Sequence, residues 1–180
     1  MPIVDQIPTP AGDIIVLRFG QSGAGPRVYL QGALHADEVS ATLALHYLGN
    51  LLTTAEGEDR LRGEVILAPH CNPAGLNQFS LGRHLGRFDV ADGRNFNRAF
   101  PDIAGKIIAR LSRMGAKHMD AKTAIEIGAE ILAQAGSDNP GDQFRLALMR
   151  LSWGRISSST STRTWKPPST CIRRPHPGRS

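Results

Sequence analysis

"RVYLQGALHADEVSATLALHYLGNLL" (residues 27–52) changes character once, and the change sets the fold. Its first part, 27–33, is a short apolar run of strand type. From Asp37 onward the apolar residues recur at helical spacing: Val39, Leu43, Tyr47 and Leu51 fall at i+4, with Leu45, Leu48 and Leu52 widening the stripe. A second apolar run, "GEVILAPHCNP" (63–73), ends on Asn72-Pro73 and reads as a buried central strand. Strand, helix, strand predicts a β-α-β unit in a mostly parallel or mixed sheet flanked by helices, an α/β fold. Upstream, "DIIVLRFG" (13–20) reads as a further strand, joined to 27–33 by the Gly/Pro-rich turn "QSGAGP". Groups at the C-terminal ends of parallel strands face the crevice in which such sheets bind ligands. His35 and the "APHCNPAG" loop both fall there.

Beyond this core, 74–101 is a long, Gly- and Arg-rich, irregular segment, and loops of that length are functional or disordered. Helical patterns follow at about 102–115, 119–135 and 140–152. The chain's length suits one domain with a real core. No apolar stretch approaches the ~20 residues of a membrane-spanning helix, and "MPIVDQIPTPAGD" lacks the pattern of a secretory signal. Cys71 and Cys171 form no C-x-x-C, so the expected compartment is the reducing cytoplasm. The pI of about 9.8 suggests nucleic acid until the charges are located. Residues 1–152 hold 15 Lys and Arg against 16 Asp and Glu, a net charge of −1, whereas 153–180 hold six basic residues and no acid. A basic footprint for DNA or RNA is therefore not a property of the domain.

His35 and Glu38 stand three apart where the strand gives way to the helix. Side chains at that spacing share one side of a first helical turn, and imidazole nitrogen with carboxylate oxygen is a zinc donor set. The bland alternative is a loop histidine and a glutamate placed at the positive end of a helix. A second constellation, "DGRNFNR" (92–98), groups Arg94, Asn97 and Arg98, which suits charge-assisted capture of a carboxylate. Its bland alternative is a solvated basic loop.

"GALHADE" followed by "NPAGLNQ" and "DGRNFNRAFPD" resembles the succinylglutamate desuccinylase/aspartoacylase family, over about residues 28–152. The resemblance implies a zinc carboxypeptidase-like fold and a zinc-dependent hydrolase of the amide (or ester) bond of an N-acyl amino acid or related small carboxylate. His35 and Glu38 would be two of three Zn2+ ligands. Asn97 and Arg98 would bind a substrate carboxylate, with Arg94 assisting and Arg87 a further candidate. In such enzymes the zinc acidifies a bound water, and a glutamate serves as base and then as acid.

The third ligand, a histidine in a strand reading roughly D-L-H, and the catalytic glutamate have no counterpart here. His46, His70, His118 and His176 lack the context, although His70 lies at a strand end and is a possible stand-in. The expectation is thus a domain over 1–152 that is the N-terminal part of the hydrolase, without turnover. The Ser/Thr/Pro-rich tail, 153–180, is expected to be disordered or translated from a shifted frame. Moving the frame back by one base turns each TC-type serine codon into Phe, Leu, Ile or Val, and each threonine codon into Tyr, His, Asn or Asp. "RISSSTST" (155–162) then permits D-L-V-L-D-L-H. Without that strand the neighbouring one would be left as an open edge prone to association. A second function class, a non-catalytic module binding an anion through the Arg-rich loop or nucleic acid through the tail, is the alternative.

Overall fold

The computed structural model describes residues 2–115 and 120–154, and the backbone of 156–159. Its centre is a five-stranded sheet made from β1 (Ile3–Ile7), β2 (Ile14–Gly20), β3 (Arg27–Gln31), β4 (Glu64–Ala68) and β5 (Ile156–Ser159). The spatial order is β1-β2-β4-β3-β5, with β3 parallel to both β4 and β5 and the remaining pairs antiparallel. The sheet is mixed, as its reading from sequence allowed. Helix α1 (Val39–Gly57) supplies the crossover between the parallel neighbours β3 and β4. The strands on either side of "QSGAGP" do not pair; β4 lies between them. The junction is tight, because a Cβ on Gly63, at φ +94°, would meet the carbonyl oxygen of Pro26 at 2.1 Å. Only glycine fits that position.

Three helices follow, α3 (Ile103–Arg113), α4 (Ala121–Gln134) and α5 (Pro140–Ser152), within two residues of the ranges read from periodicity; α5 packs on the other face of the sheet, and α3 and α4 pack with α5 in a cluster of their own. Each opens on an Asp or Asn whose side chain accepts from a backbone N–H of the first turn, namely Asp102, Asp120 and Asn139. Ile14, Val16, Tyr29 and Ile66 of the sheet pack with Phe144, Leu148 and Leu151 of α5. On the opposite face Phe19 and Leu67 pack against Leu45 of α1.

The stripe of α1 requires a correction. Val39, Leu43, Tyr47 and Leu51 are exposed, and the sheet is met by Ala41, Leu45 and Gly49. The helix is apolar on both sides, so periodicity alone does not choose a face. The sheet takes the side with the small residues, where backbones approach closely.

The long segment 74–101 is tied down at several points. It contains α2 (Pro73–Leu76), capped by Asn72, and a two-stranded ribbon, Phe79–Ser80 with Arg83–His84. Phe96 is buried edge-on against Phe144 of α5. Within the tail, Ile156–Ser159 pairs with β3, so the edge expected to be open is covered by backbone ladder bonds, which do not depend on side-chain type. Residues 160–180, with the remainder of the shifted-frame pattern and His176, lie outside the described residues, as does His118.

Candidate metal centre

The turn after β3 is built before the helix begins. Leu34 offers its carbonyl to the buried Asn72 amide at 2.8 Å, and Asn72 Oδ1 in turn accepts from Gly75 N–H. Ala36 N–H donates to the carbonyl of Gly86 at 2.7 Å, which brings the long loop onto the turn. A Cβ on Gly86 would lie 2.6 Å from the Asp37 nitrogen, so the approach requires glycine. Ala33, just before the site, is left-handed at φ 54°, and Ala99, just after the loop, at φ 58°. Non-glycine residues held this way concentrate at ligand-binding sites.

His35 and Glu38 are both buried, 6% and 8% exposed. The His35 Nδ1 and the Glu38 Oε1 stand 3.3 Å apart, and the Arg87 guanidinium serves both, at 3.0 Å to Nδ1 and 2.8 Å to Oε1. The protonation of the ring follows from its other side. Asn97 N–H donates to Asn95 Oδ1 at 2.8 Å, which fixes that atom as an acceptor. His35 Nε2, 2.9 Å from the same oxygen, must therefore carry the proton. Nδ1 faces the Arg87 guanidinium, which can only donate, so it keeps its lone pair while also facing a carboxylate. Two acceptors so close repel each other unless a cation is shared between them, and here Arg87 supplies it. Burial raises the Glu38 carboxyl, but Arg87 and His35 together outweigh it and hold the group below its ordinary value of 4.5.

Four residues thus converge: His35, Glu38, Arg87 and Asn95. Asn97 is one hydrogen bond further out. Arg98 is exposed, with its guanidinium donating to the Asn97 carbonyl at 2.7 Å. Arg94 points elsewhere: it pairs with Asp92 and Asp142 and donates to Asn139, linking the loop to the start of α5. The buried Arg145 of α5 donates to the carbonyls of Arg98 and Asn95 at 2.7 and 3.2 Å, fixing the loop from below. A cleft of about 350 Å³ opens beside Arg87, lined also by Asp37, Leu85, Phe88 and Val90. His70 is exposed at the end of β4. Among the described residues no three His, Cys, Asp or Glu side chains gather around one point.

Asn95 is the residue that sequence reading passed over. Its signal was present in "NFN", where a buried aromatic is flanked by two amides that must point the other way.

The catalytic-domain model of the succinylglutamate desuccinylase/aspartoacylase family matches residues 24–136. The chain belongs to that family. A solved structure of a succinylglutamate desuccinylase/aspartoacylase family protein from Shewanella amazonensis SB2B is 29% identical, with a TM-score of 0.63 over 83% of this chain and 43% of the other. A second, from Shewanella frigidimarina NCIMB 400, is 24% identical and shares the fold, with a TM-score of 0.62 over 84% and 43%. This chain therefore spans less than half the length of these relatives. No curated protein matches it. Family and mixed α/β fold agree with the expectations drawn from "GALHADE" and "DGRNFNR". No helix among the described residues is long and apolar enough to cross a membrane.

Proposed function

We propose that His35 and Glu38 are two of the three protein ligands of a hydrolytic zinc site, and that the parent activity is cleavage of an N-acyl amino acid or a related small carboxylate. One observation carries this reading. The deduced tautomer turns the lone pair of Nδ1 toward an ionised Glu38 across a space already shared with a cation. An ordinary helix start has no need for two buried acceptors facing each other. A zinc ion held there would supply Lewis-acid activation of a water and of the scissile carbonyl.

The chain's own residues do the rest. Asn95 holds the imidazole in its ligating tautomer. Arg87, released from the pair, stays within reach of a substrate oxygen. Asn97 and the exposed Arg98 present an amide and a guanidinium fork to a carboxylate. The third ligand and the general base have no counterpart among the described residues, so the chain as it stands is proposed to lack turnover. The alternative, an anion-binding module built on the Arg-rich loop, is weakened because Arg94 is engaged by Asp92 and Asp142.

Thermal unfolding at neutral pH with and without zinc tests the proposal. Zinc is expected to raise the unfolding temperature of this chain, and His35→Ala and Glu38→Ala are each expected to abolish the shift. An equal shift in both variants would exclude the pair as ligands. Zinc-dependent hydrolysis of N-acyl amino acids by the unaltered chain would overturn the claim of inactivity.

A further inference from the structure

One buried cation fastens the loop that supports the site. Arg145 of α5 is 1% exposed, and arginine is almost never buried so fully unless its donors are met. Nε donates to the carbonyl of Arg98 at 2.7 Å, Nη2 to the carbonyl of Asn95 at 3.2 Å and Nη1 to Asp142 Oδ1 at 3.4 Å. Asn95 and Arg98 are the two ends of a tight turn, closed by Arg98 N–H on the Asn95 carbonyl at 3.1 Å. Arg145 thus holds both ends at once, which the planar fork of a guanidinium allows and a compact ammonium does not. On its other side the turn is tied to Arg87 and Phe88: Phe96 N–H donates to the Arg87 carbonyl at 3.2 Å, and Phe88 bridges Asn95. The two side chains that fix the ring of His35, Asn95 and Arg87, therefore both hang on this turn.

Packing alone does not account for an arginine at this place. Phe96 and Phe144 already supply an apolar contact between the turn and α5. A buried charge carries a desolvation cost that an apolar side chain of similar volume avoids. The first turn of α5 is also left bare where the guanidinium crosses it, since a Cβ on Gly141 would lie 2.9 Å from Nη1.

We propose that Arg145 is a positioning residue of the metal centre, acting through the 95–98 turn to hold His35 in the tautomer that leaves Nδ1 free. Its effect on metal affinity rests on the reading of His35 and Glu38 as ligands. Its effect on the tautomer does not.

Two readouts on the full chain test this. Imidazole nitrogen chemical shifts in the labelled, metal-free chain, taken well above the ~6.5 of a free histidine, report which ring nitrogen carries the proton. Competition against a chromophoric chelator reports zinc affinity. His35 of the unaltered chain is expected as Nε2–H. In Arg145→Met both tautomers are expected, and zinc affinity should fall by about 10- to 100-fold. Arg145→Lys keeps the charge without the fork and is expected to behave in the same way. It decides the test if circular dichroism shows Arg145→Met to be unfolded. A folded variant with the tautomer and affinity of the unaltered chain would overturn the proposal, and so would an unaltered chain with its proton on Nδ1. Unfolding of both variants would assign Arg145 to stability and overturn it too. An unaltered chain that binds no zinc would remove the metal reading, and the tautomer in the variants would then decide the role of Arg145 by itself.

Discussion

The tautomer of His35 is set by Asn95, whose side-chain oxygen is itself fixed by the Asn97 N–H. The relay makes a prediction separable from folding. Asn95→Leu removes the acceptor, leaves Nε2–H without its partner and frees the ring to present the wrong nitrogen. Apparent zinc affinity is expected to fall by about 10- to 100-fold, the usual effect of losing such a support. Asn95→Asp keeps an acceptor in place and is expected to retain binding. Competition against a chromophoric chelator reads both. Equal loss in the two variants, with unchanged unfolding temperature, would mean that Nδ1 is not the ligating atom. Cys71 illustrates the opposite kind of residue: burial pushes its thiol far up, and it serves as core beside the site rather than as a nucleophile.

Among the elements, the loop 77–98 acts through a few contacts, and Gly86 is the sharpest. Gly86→Ala places a methyl group 2.8 Å from Ala36 and closer still to the Asp37 nitrogen. Either the turn or the loop must move, at a cost of about 1–3 kcal/mol. Arg87, the next residue, would be displaced from Glu38. The expected result is a lower midpoint in urea together with loss of the zinc-induced shift. An unchanged midpoint would show that the loop is held by Phe96 and Arg145 alone. These contacts explain what the sequence could and could not convey. β3, β4, α1 and α3 to α5 were readable because each has its own periodicity and, for α3 to α5, its own cap. The pair His35 and Glu38 was readable because both lie within one turn. Gly86 and Arg145 were not, since each acts on a partner far away in the chain and nothing local marks it, and Asn95 was marked only by its place in "NFN", with its partner His35 equally distant. The face of α1 was misjudged for another reason. Val39, Leu43, Tyr47 and Leu51 keep helical spacing whether they meet the sheet or turn away from it.

For the whole molecule the central relation is between β5 and the site. β5 runs parallel to β3, with Ser159 beside Gln31, so its C-terminal end points toward the end of the sheet that bears His35. Sheets of this kind bind ligands beyond the C-terminal ends of their parallel strands. In the frame as it stands, Ser161 and Thr162 follow this strand. In the frame one base back, "RISSSTST" becomes an apolar strand able to end in Asp-x-His, a ligand type and position that the pair lacks. The strand β5 itself is the part of the tail whose place in the sheet does not require serine. Restoring the earlier frame from codon 155 in an expression clone is therefore expected to yield a longer chain that retains zinc through gel filtration, where the present chain loses it. His35→Ala should remove the metal from the restored chain, and so should replacement of the histidine encoded across codons 161 and 162. A restored frame that stops within a few codons, or a longer chain that binds no more zinc than this one, would leave 153–180 as an authentic tail and the half-site without its complement.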